Sequence, residues 1–92
     1  MVTLFSKLTV TDAEAVIAQM KSLPQEALDE QHLVELKVYN GTDENTIFIV
    51  NQYNTLEDAQ KHAAYIKSDE YREHAKKEQG IESFDLWLAE EA

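Results

Sequence analysis

The chain has no cysteine, a single proline and two glycines, and its eight Lys and Arg are set against eighteen Asp and Glu. Each scarcity excludes something. Without thiols there is no disulfide staple, thiolate nucleophile, zinc–thiolate site or iron–sulfur cluster, and such a chain suits the reducing cytoplasm. With only Gly41 and Gly80, Gly-rich phosphate loops and the dinucleotide fingerprint are absent, and no nucleophile-elbow motif occurs. A net charge of −10 repels phosphate backbones and anionic lipid surfaces, so nucleic-acid binding is not expected. The same charge also serves plain solubility. No apolar run is long enough to cross a bilayer, and the start from Met1 to Lys7 lacks the basic and apolar regions of a signal peptide.

What is present is regular patterning over one short chain. The 92 residues predict a single domain (1–92), small enough that burying surface against a partner subunit would help it. Val2, Leu4, Leu8 and Val10 share one phase of a strand over 2–10. Thr11-Asp12 then offers a helix cap, and Ala13, Val16, Ile17 and Met20 form an apolar stripe to about Ser22. Leu23-Pro24 breaks it, and Pro24 fits the first position of a short helix through Leu28.

His32 to Tyr39 predicts a second strand, Asn40-Gly41 a hairpin turn, and Thr46 to Tyr53 a third strand. Thr55 caps a long helix, with Asp58 at the capping-box position. Its stripe is Leu56, Ala59, Ala63 and Ile66, continued by Tyr71 and Ala75 beyond a break at Ser68. Gly80 ends it in a left-handed turn, and Ile81 to Leu88 is the last strand. The order strand–helix–strand–strand–helix–strand predicts an α+β, ferredoxin-like βαββαβ domain: a four-stranded antiparallel sheet with both helices on one face.

The strands carry apolar residues in both phases. Phe48 and Val50 alternate with Ile47, Ile49 and Tyr53; Phe84, Leu86 and Leu88 with Ile81 and Trp87; Val34, Leu36 and Val38 with Leu33 and Tyr39. A sheet face covered by nothing would be polar, so a second copy of the chain is the expected cover, giving a homodimer.

Tyr53, Thr55, Glu57 and His62, followed by Ser68 and Tyr71, form an aromatic–cap–acid–His–Ser–aromatic series running from the third strand into the helix. In that series the chain resembles the antibiotic biosynthesis monooxygenase (ABM) family of dimeric α/β barrels. Tyr53 stands where the family commonly has Trp, and Ser68 lies about one helical turn later than usual. The resemblance implies a cavity between helices and sheet, and oxidation of a small aromatic or quinol-like compound by molecular oxygen with no metal or flavin. Such chemistry needs a base, a hydrogen bond for a forming oxyanion, and apolar walls.

His62 is the candidate base, since its spacing from Ala59 and Ile66 turns it inward and imidazole titrates near neutrality. Asp58, one turn earlier, is its candidate orienter; the plainer reading is a surface pair with Asp58 engaged at the cap. Asn51 and Tyr53 are candidate oxyanion donors, against the alternative that Tyr53 is core and Asn51 ends the strand. Tyr39, Tyr65 and Trp87 are candidate walls for a flat ligand, although core packing or the dimer interface is the commoner use of residues such as Tyr39 and Trp87 and the preferred reading for them.

His74, between Glu70 and Glu78, reads as a solvated face, and its place on the helix turns it away from His62. No metal site and no cofactor are expected. The haem-degrading reading fits poorly, because Ser6 and Lys7 stand where a first-strand Asn would be wanted. The rival classes are a non-catalytic dimeric module that binds a small molecule, and a structural dimer with a filled core.

Overall fold

In the computed structural model, which describes every residue from Met1 to Ala92, the chain forms four strands and a set of short helices. They run β1 (Val2–Val10), α1 (Ala13–Lys21), α2 (Gln25–Glu30), β2 (Leu33–Asn40), β3 (Thr46–Tyr53), α3 (Leu56–Ile66), α4 (Asp69–His74), a π-helical turn (Ala75–Gln79) and β4 (Ile81–Glu90). The strands make one antiparallel sheet in the order β2-β3-β1-β4. This is the ferredoxin-like α+β arrangement expected from the order of elements. No helix is long and apolar enough to cross a membrane.

Local chemistry explains the boundaries. The Asp12 carboxylate accepts the Ala15 N–H at the start of α1, and the Thr55 hydroxyl accepts the Asp58 N–H at the start of α3. The expected capping box is therefore half closed: Asp58 contributes its N–H, and its carboxylate makes no return bond. Ser68 divides the long helix. Its hydroxyl donates to the Tyr65 carbonyl and accepts the Tyr71 N–H, ending one helix and capping the next. Pro24 stands at the cap of α2 rather than inside its first turn. His32 has a positive φ of 58°, so β2 begins one residue later than expected, and β4 runs on to Glu90.

Even-numbered residues of β1 and odd-numbered residues of β3 face the helices. Two bulges correct the expected phasing of the outer strands. The register of β2 shifts between Leu33 and Glu35, which places Leu33 opposite Tyr53 and on the same side as Leu36. The β1–β4 register shifts at Thr9/Val10, which places Ile81 opposite Val10. Leu33 and Ile81 are consequently core residues rather than members of the open face. Bulges add one residue and so invert the alternation beyond them.

The apolar set left on the open face is smaller and better defined. In one cross-strand row Trp87, Phe5 and Val50 stand side by side with Lys37 beyond them, and in the next Tyr39 and Phe48 continue into Lys7 and Asp85. Phe5, Tyr39, Phe48 and Trp87 are all substantially exposed.

On the helix side the core is in two parts. Val2, Leu4, Leu33, Tyr53, Ala59, Ala63 and Ile66 form one cluster; Leu8, Val10, Val16, Ile47, Ile49, Ala75 and Ile81 form the other. Each fully buried Leu or Ile contributes about 1.5–3 kcal/mol of hydrophobic stabilisation. Along the inward face of β1, the position between the two clusters is Ser6, buried and opposite Ile49 and Leu86. A hydroxymethyl cannot fill the space that a Leu or Ile would, and the gap between the clusters opens there.

Candidate active site

That gap is a cavity of about 140 Å³ between sheet and helices. Its floor includes Ser6, Ile49, Asn51, Phe84 and Leu86, and its roof Met20, His62, Tyr65, Ile66 and Tyr71. A volume of this order accommodates about one aromatic ring, and the partly open mouth leaves room for a second to extend outward. None of the lining residues is Asp, Glu, Lys or Arg; the polar groups are amides, hydroxyls and one imidazole.

The imidazole is the chemically distinctive member. His62 sits on the inward side of α3, one position before the buried Ala63, and its Nδ1 is hydrogen-bonded to the Tyr53 hydroxyl. The two rings meet edge to face, with centroids 5.7 Å apart. Burial lowers the His62 pKa below its ordinary value of 6.5, so the ring is neutral near pH 7. Burial likewise pushes the Tyr53 phenol well above its ordinary range, a shift the neighbouring Asn51 amide only partly opposes. Tyr53 is fully enclosed, at 0% exposure, and holds its proton. The pair is a neutral imidazole braced by a neutral phenol.

Asn51 is 5% exposed, lines the cavity, and its Oδ1 has no hydrogen-bond partner. An orphaned buried carbonyl oxygen costs about 1–3 kcal/mol. Rotating the carboxamide by half a turn exchanges the oxygen and nitrogen with little change of shape. Two proton arrangements follow. In one, the Asn51 amide donates to Tyr53, Tyr53 donates to Nδ1, and Nε2 of His62 carries the proton. In the other, Nδ1–H donates to Tyr53, Tyr53 donates to the Asn51 carbonyl, and Nε2 is left with a free lone pair.

The sequence-derived candidates are distributed unequally. His62, Asn51 and Tyr65 line the cavity together. Tyr53 does not line it; its hydroxyl is bonded to His62, which does. Asp58 makes no hydrogen bond to His62; it borders a shallow outer groove with Glu30, His32 and Lys61. The expected Asp58–His62 pair is therefore corrected to Tyr53–His62: one helical turn separates Asp58 from the ring, but β3 brings a phenol directly against it.

Tyr39 and Trp87 are corrected as well. They lie opposite Phe48 and Phe5, on the face away from the helices, and Trp87 is 53% exposed. Neither lines the cavity of its own chain.

Three cavity residues escaped the sequence reading. Tyr71 was legible in the apolar stripe and as the closing aromatic of the series from Tyr53, but not as a cavity wall; it packs edge to face on Tyr65 and Phe84, and burial raises its pKa, reinforced by Tyr65. Ser6 interrupts an otherwise apolar inward row, which was the available signal. Gln79 has a buried Oε1 with no partner, and nothing in the sequence marks it, because the π-helical turn that carries it has no composition signature. No group of three or more His, Asp or Glu is placed to hold a metal ion.

His62, Tyr65 and Gln31 border both the cavity and the outer groove. The imidazole is thus part of the wall between a largely apolar, partly open cavity and the outer groove.

No protein-family profile matches the sequence, and no curated protein sequence is similar to it. Solved structures do share its fold. A protein provisionally named an antibiotic biosynthesis monooxygenase from Nitrosomonas europaea superposes with a TM-score of 0.64 at 15% identity, covering 99% of this chain and 98% of that one. A similarly named protein from Deinococcus radiodurans gives 0.63 at 14% identity, covering 100% and 93%. SnoaB, a cofactor-independent oxygenase from Streptomyces nogalater, gives 0.62 at 16% identity, covering 98% and 91%. The chain is folded as these ABM proteins are, over essentially its whole length.

Proposed function

We propose that the protein is a cofactor-independent, ABM-like monooxygenase that oxidises a small, uncharged aromatic or quinol-like compound in the cavity beneath His62. The observation that carries this reading is the Tyr53–His62 contact at the wall of a cavity without charged side chains. The shared fold with a cofactor-independent oxygenase supports it.

In the reactive arrangement the Asn51 carbonyl accepts from Tyr53, Tyr53 accepts from Nδ1, and Nε2 is the base. The orphaned Asn51 oxygen gains its partner in that arrangement, and the amide N–H turns toward the ligand as an oxyanion donor. The base removes a proton from a phenol or an activated carbon. The resulting anion transfers electrons to dioxygen and forms a C–O bond; the O–O bond then breaks with loss of water. Net, a phenol with a free para C–H becomes a quinone, one dioxygen is consumed and one water is released. The para C–H proton passes to the terminal peroxide oxygen as the O–O bond breaks and the C=O forms, and the protonated imidazole gives its proton to the departing hydroxide. The apolar walls and the bound ligand keep competing water from the anion, and the outer groove gives His62 an exchange route to solvent.

The same reading includes a twofold homodimer built through the open sheet face. The row Trp87–Phe5–Val50 and its neighbours Phe48 and Tyr39 form an apolar patch, bordered by Lys7, Lys37 and Asp85, of the kind that soluble domains cover. In the dimer Tyr39 and Trp87 serve as interface residues.

Oxygen uptake with 1-naphthol and 1,5-dihydroxynaphthalene tests the activity. Consumption of one dioxygen per quinone formed, lost in His62→Ala, is expected. Saturable binding with no uptake would leave the alternative, a non-catalytic small-molecule-binding dimer, which the partnerless amides of the cavity would equally serve.

A further inference from the structure

The cavity contains a second polar anchor that the proton chemistry does not use. Gln79 occupies the last position of the π-helical turn Ala75–Gln79, lines the cavity, and keeps its Oε1 buried without a hydrogen-bond partner. Asn51 is the only other residue with such an orphaned buried side-chain atom. The two are set apart along the sheet. Asn51 is level with Leu4 of β1, whereas Gln79 precedes Gly80, whose carbonyl accepts the Thr11 N–H just beyond the end of that strand. Both line the one cavity, from backbones at different levels of the sheet.

The backbone at Gln79 is specialised for this placement. The Gly80 N–H reaches back to the Ala75 carbonyl, closing a wide turn, and Gly80 adopts φ +66°. A π-helical turn costs hydrogen-bond geometry and is retained mostly where it positions a functional side chain. Two buried amides left unsatisfied in a domain of this size also call for partners. Nothing between them is charged, so a carboxylate, phosphate or ammonium entering the cavity would lose its hydration uncompensated.

We propose that Gln79 is a specificity-determining residue, and that with Asn51 it selects an uncharged aromatic ligand bearing two separated oxygen functions, one at each end of the ring system. The Asn51 end holds the oxygen beside His62, and the Gln79 end holds the remote one. A hydroxyl suits both amides because it donates and accepts. The assignment rests on the proposed use of this cavity as the ligand site, and it concerns recognition rather than turnover.

The test is binding without oxygen, so that the oxygenase reading can fail independently. Calorimetric titrations under nitrogen compare 1,5-dihydroxynaphthalene, 1-naphthol, 1,5-dimethoxynaphthalene and 5-hydroxy-1-naphthoate. The dihydroxy compound is expected to bind about tenfold tighter than 1-naphthol, because an analogue lacking the second hydroxyl leaves a buried amide unpaired. The carboxylate is expected to bind at least about tenfold more weakly than the dihydroxy compound. In Gln79→Leu the preference for the second hydroxyl should shrink to within about threefold, with 1-naphthol affinity little changed.

Equal affinity of wild-type protein for 1-naphthol and 1,5-dihydroxynaphthalene would overturn the proposal. So would Gln79→Leu retaining the full preference, or no binding of any of the four compounds, which would mean the amides are served by water alone. The wild-type comparison stands even if the variant folds poorly. Selective binding with no oxygen uptake would sink the oxygenase reading and leave this one intact.

Discussion

The hydroxyl of Tyr53 meets Nδ1 of His62 across the boundary between sheet and helix layer, joining the last residue of β3 to the middle of α3. One ring nitrogen is thereby committed to the protein, leaving Nε2 as the nitrogen free to serve a ligand. Imidazoles used in catalysis are commonly oriented through the nitrogen that does not react. Tyr53→Phe should therefore keep the packing and lose the orientation, lowering kcat on the phenolic substrate by about tenfold or more while KM changes little. Steady-state kinetics of the two proteins check the split; a shift confined to KM would assign Tyr53 to ligand binding instead.

The lowered pKa of His62 sets the direction of two pH effects. For activity, the neutral ring is the competent base, so kcat/KM should rise through an apparent pKa below 6.5 and be level at neutral pH. For stability, the unfolded imidazole takes up its proton as pH falls through about 6.5, and the folded one only at lower pH. Between those values the unfolded state binds more protons, so stability is full above the unfolded pKa and falls as the pH falls toward the folded one. Urea unfolding at several pH values should show a shallower decline across that window in His62→Gln than in wild type.

Asn51 should exchange stability for function. Its unpartnered buried oxygen is a cost that Leu of similar size does not carry, so Asn51→Leu should unfold at equal or higher urea concentration, with a gain of up to about 1 kcal/mol. Oxygen uptake should fall by roughly 10²-fold, the typical loss of one oxyanion donor. A destabilised variant would show that the amide is structurally satisfied in the folded protein.

The open face should hold the dimer. Phe5→Glu places a carboxylate between Trp87 and Val50 on the patch, where a closed interface could not solvate it. Light scattering behind a sizing column should give a dimer for wild type and a monomer for the variant, with helix content by circular dichroism retained. A monomeric wild-type protein would contradict this part of the account.

Gly80 offers a purely structural check. At φ +66° a side chain is strained, and a Cβ there would lie 2.5 Å from Oγ1 of Thr11. Gly80→Ala should cost about 1–2 kcal/mol in urea unfolding, whereas Thr11→Ala combined with it should recover part of the loss. Equal stability of Gly80→Ala and wild type would contradict the left-handed turn.

Much of the architecture was legible from local chemistry. Caps at Asp12 and Thr55, the break at Ser68 and the left-handed Gly80 are all decided by residues adjacent to the event. The phase of Leu33 and Ile81 was not, because a bulge is set by pairing with a distant strand and inverts the alternation without altering composition. The same limit explains the site. His62 and Asn51 were legible because helical and strand periodicity aim them inward. Sequence offers Asp58 as the orienter and gives no sign of Tyr53 in that place, since helix spacing shows neighbours within an element and hides contacts between elements. Trp87 and Tyr39 were placed by nominal phase, and only the register with Phe5 and Phe48 moves them to the other face. Gln79 depends on a wide turn with no sequence signature.

The most direct measurement is dioxygen consumption during turnover of 1,5-dihydroxynaphthalene by metal-free wild-type protein and by His62→Ala, with the quinone product quantified alongside. The account predicts one dioxygen consumed for each 5-hydroxy-1,4-naphthoquinone formed, no hydrogen peroxide, and a loss of roughly 10²- to 10⁴-fold in the variant. Uptake that is absent from wild type, or equal in the two proteins, would contradict it.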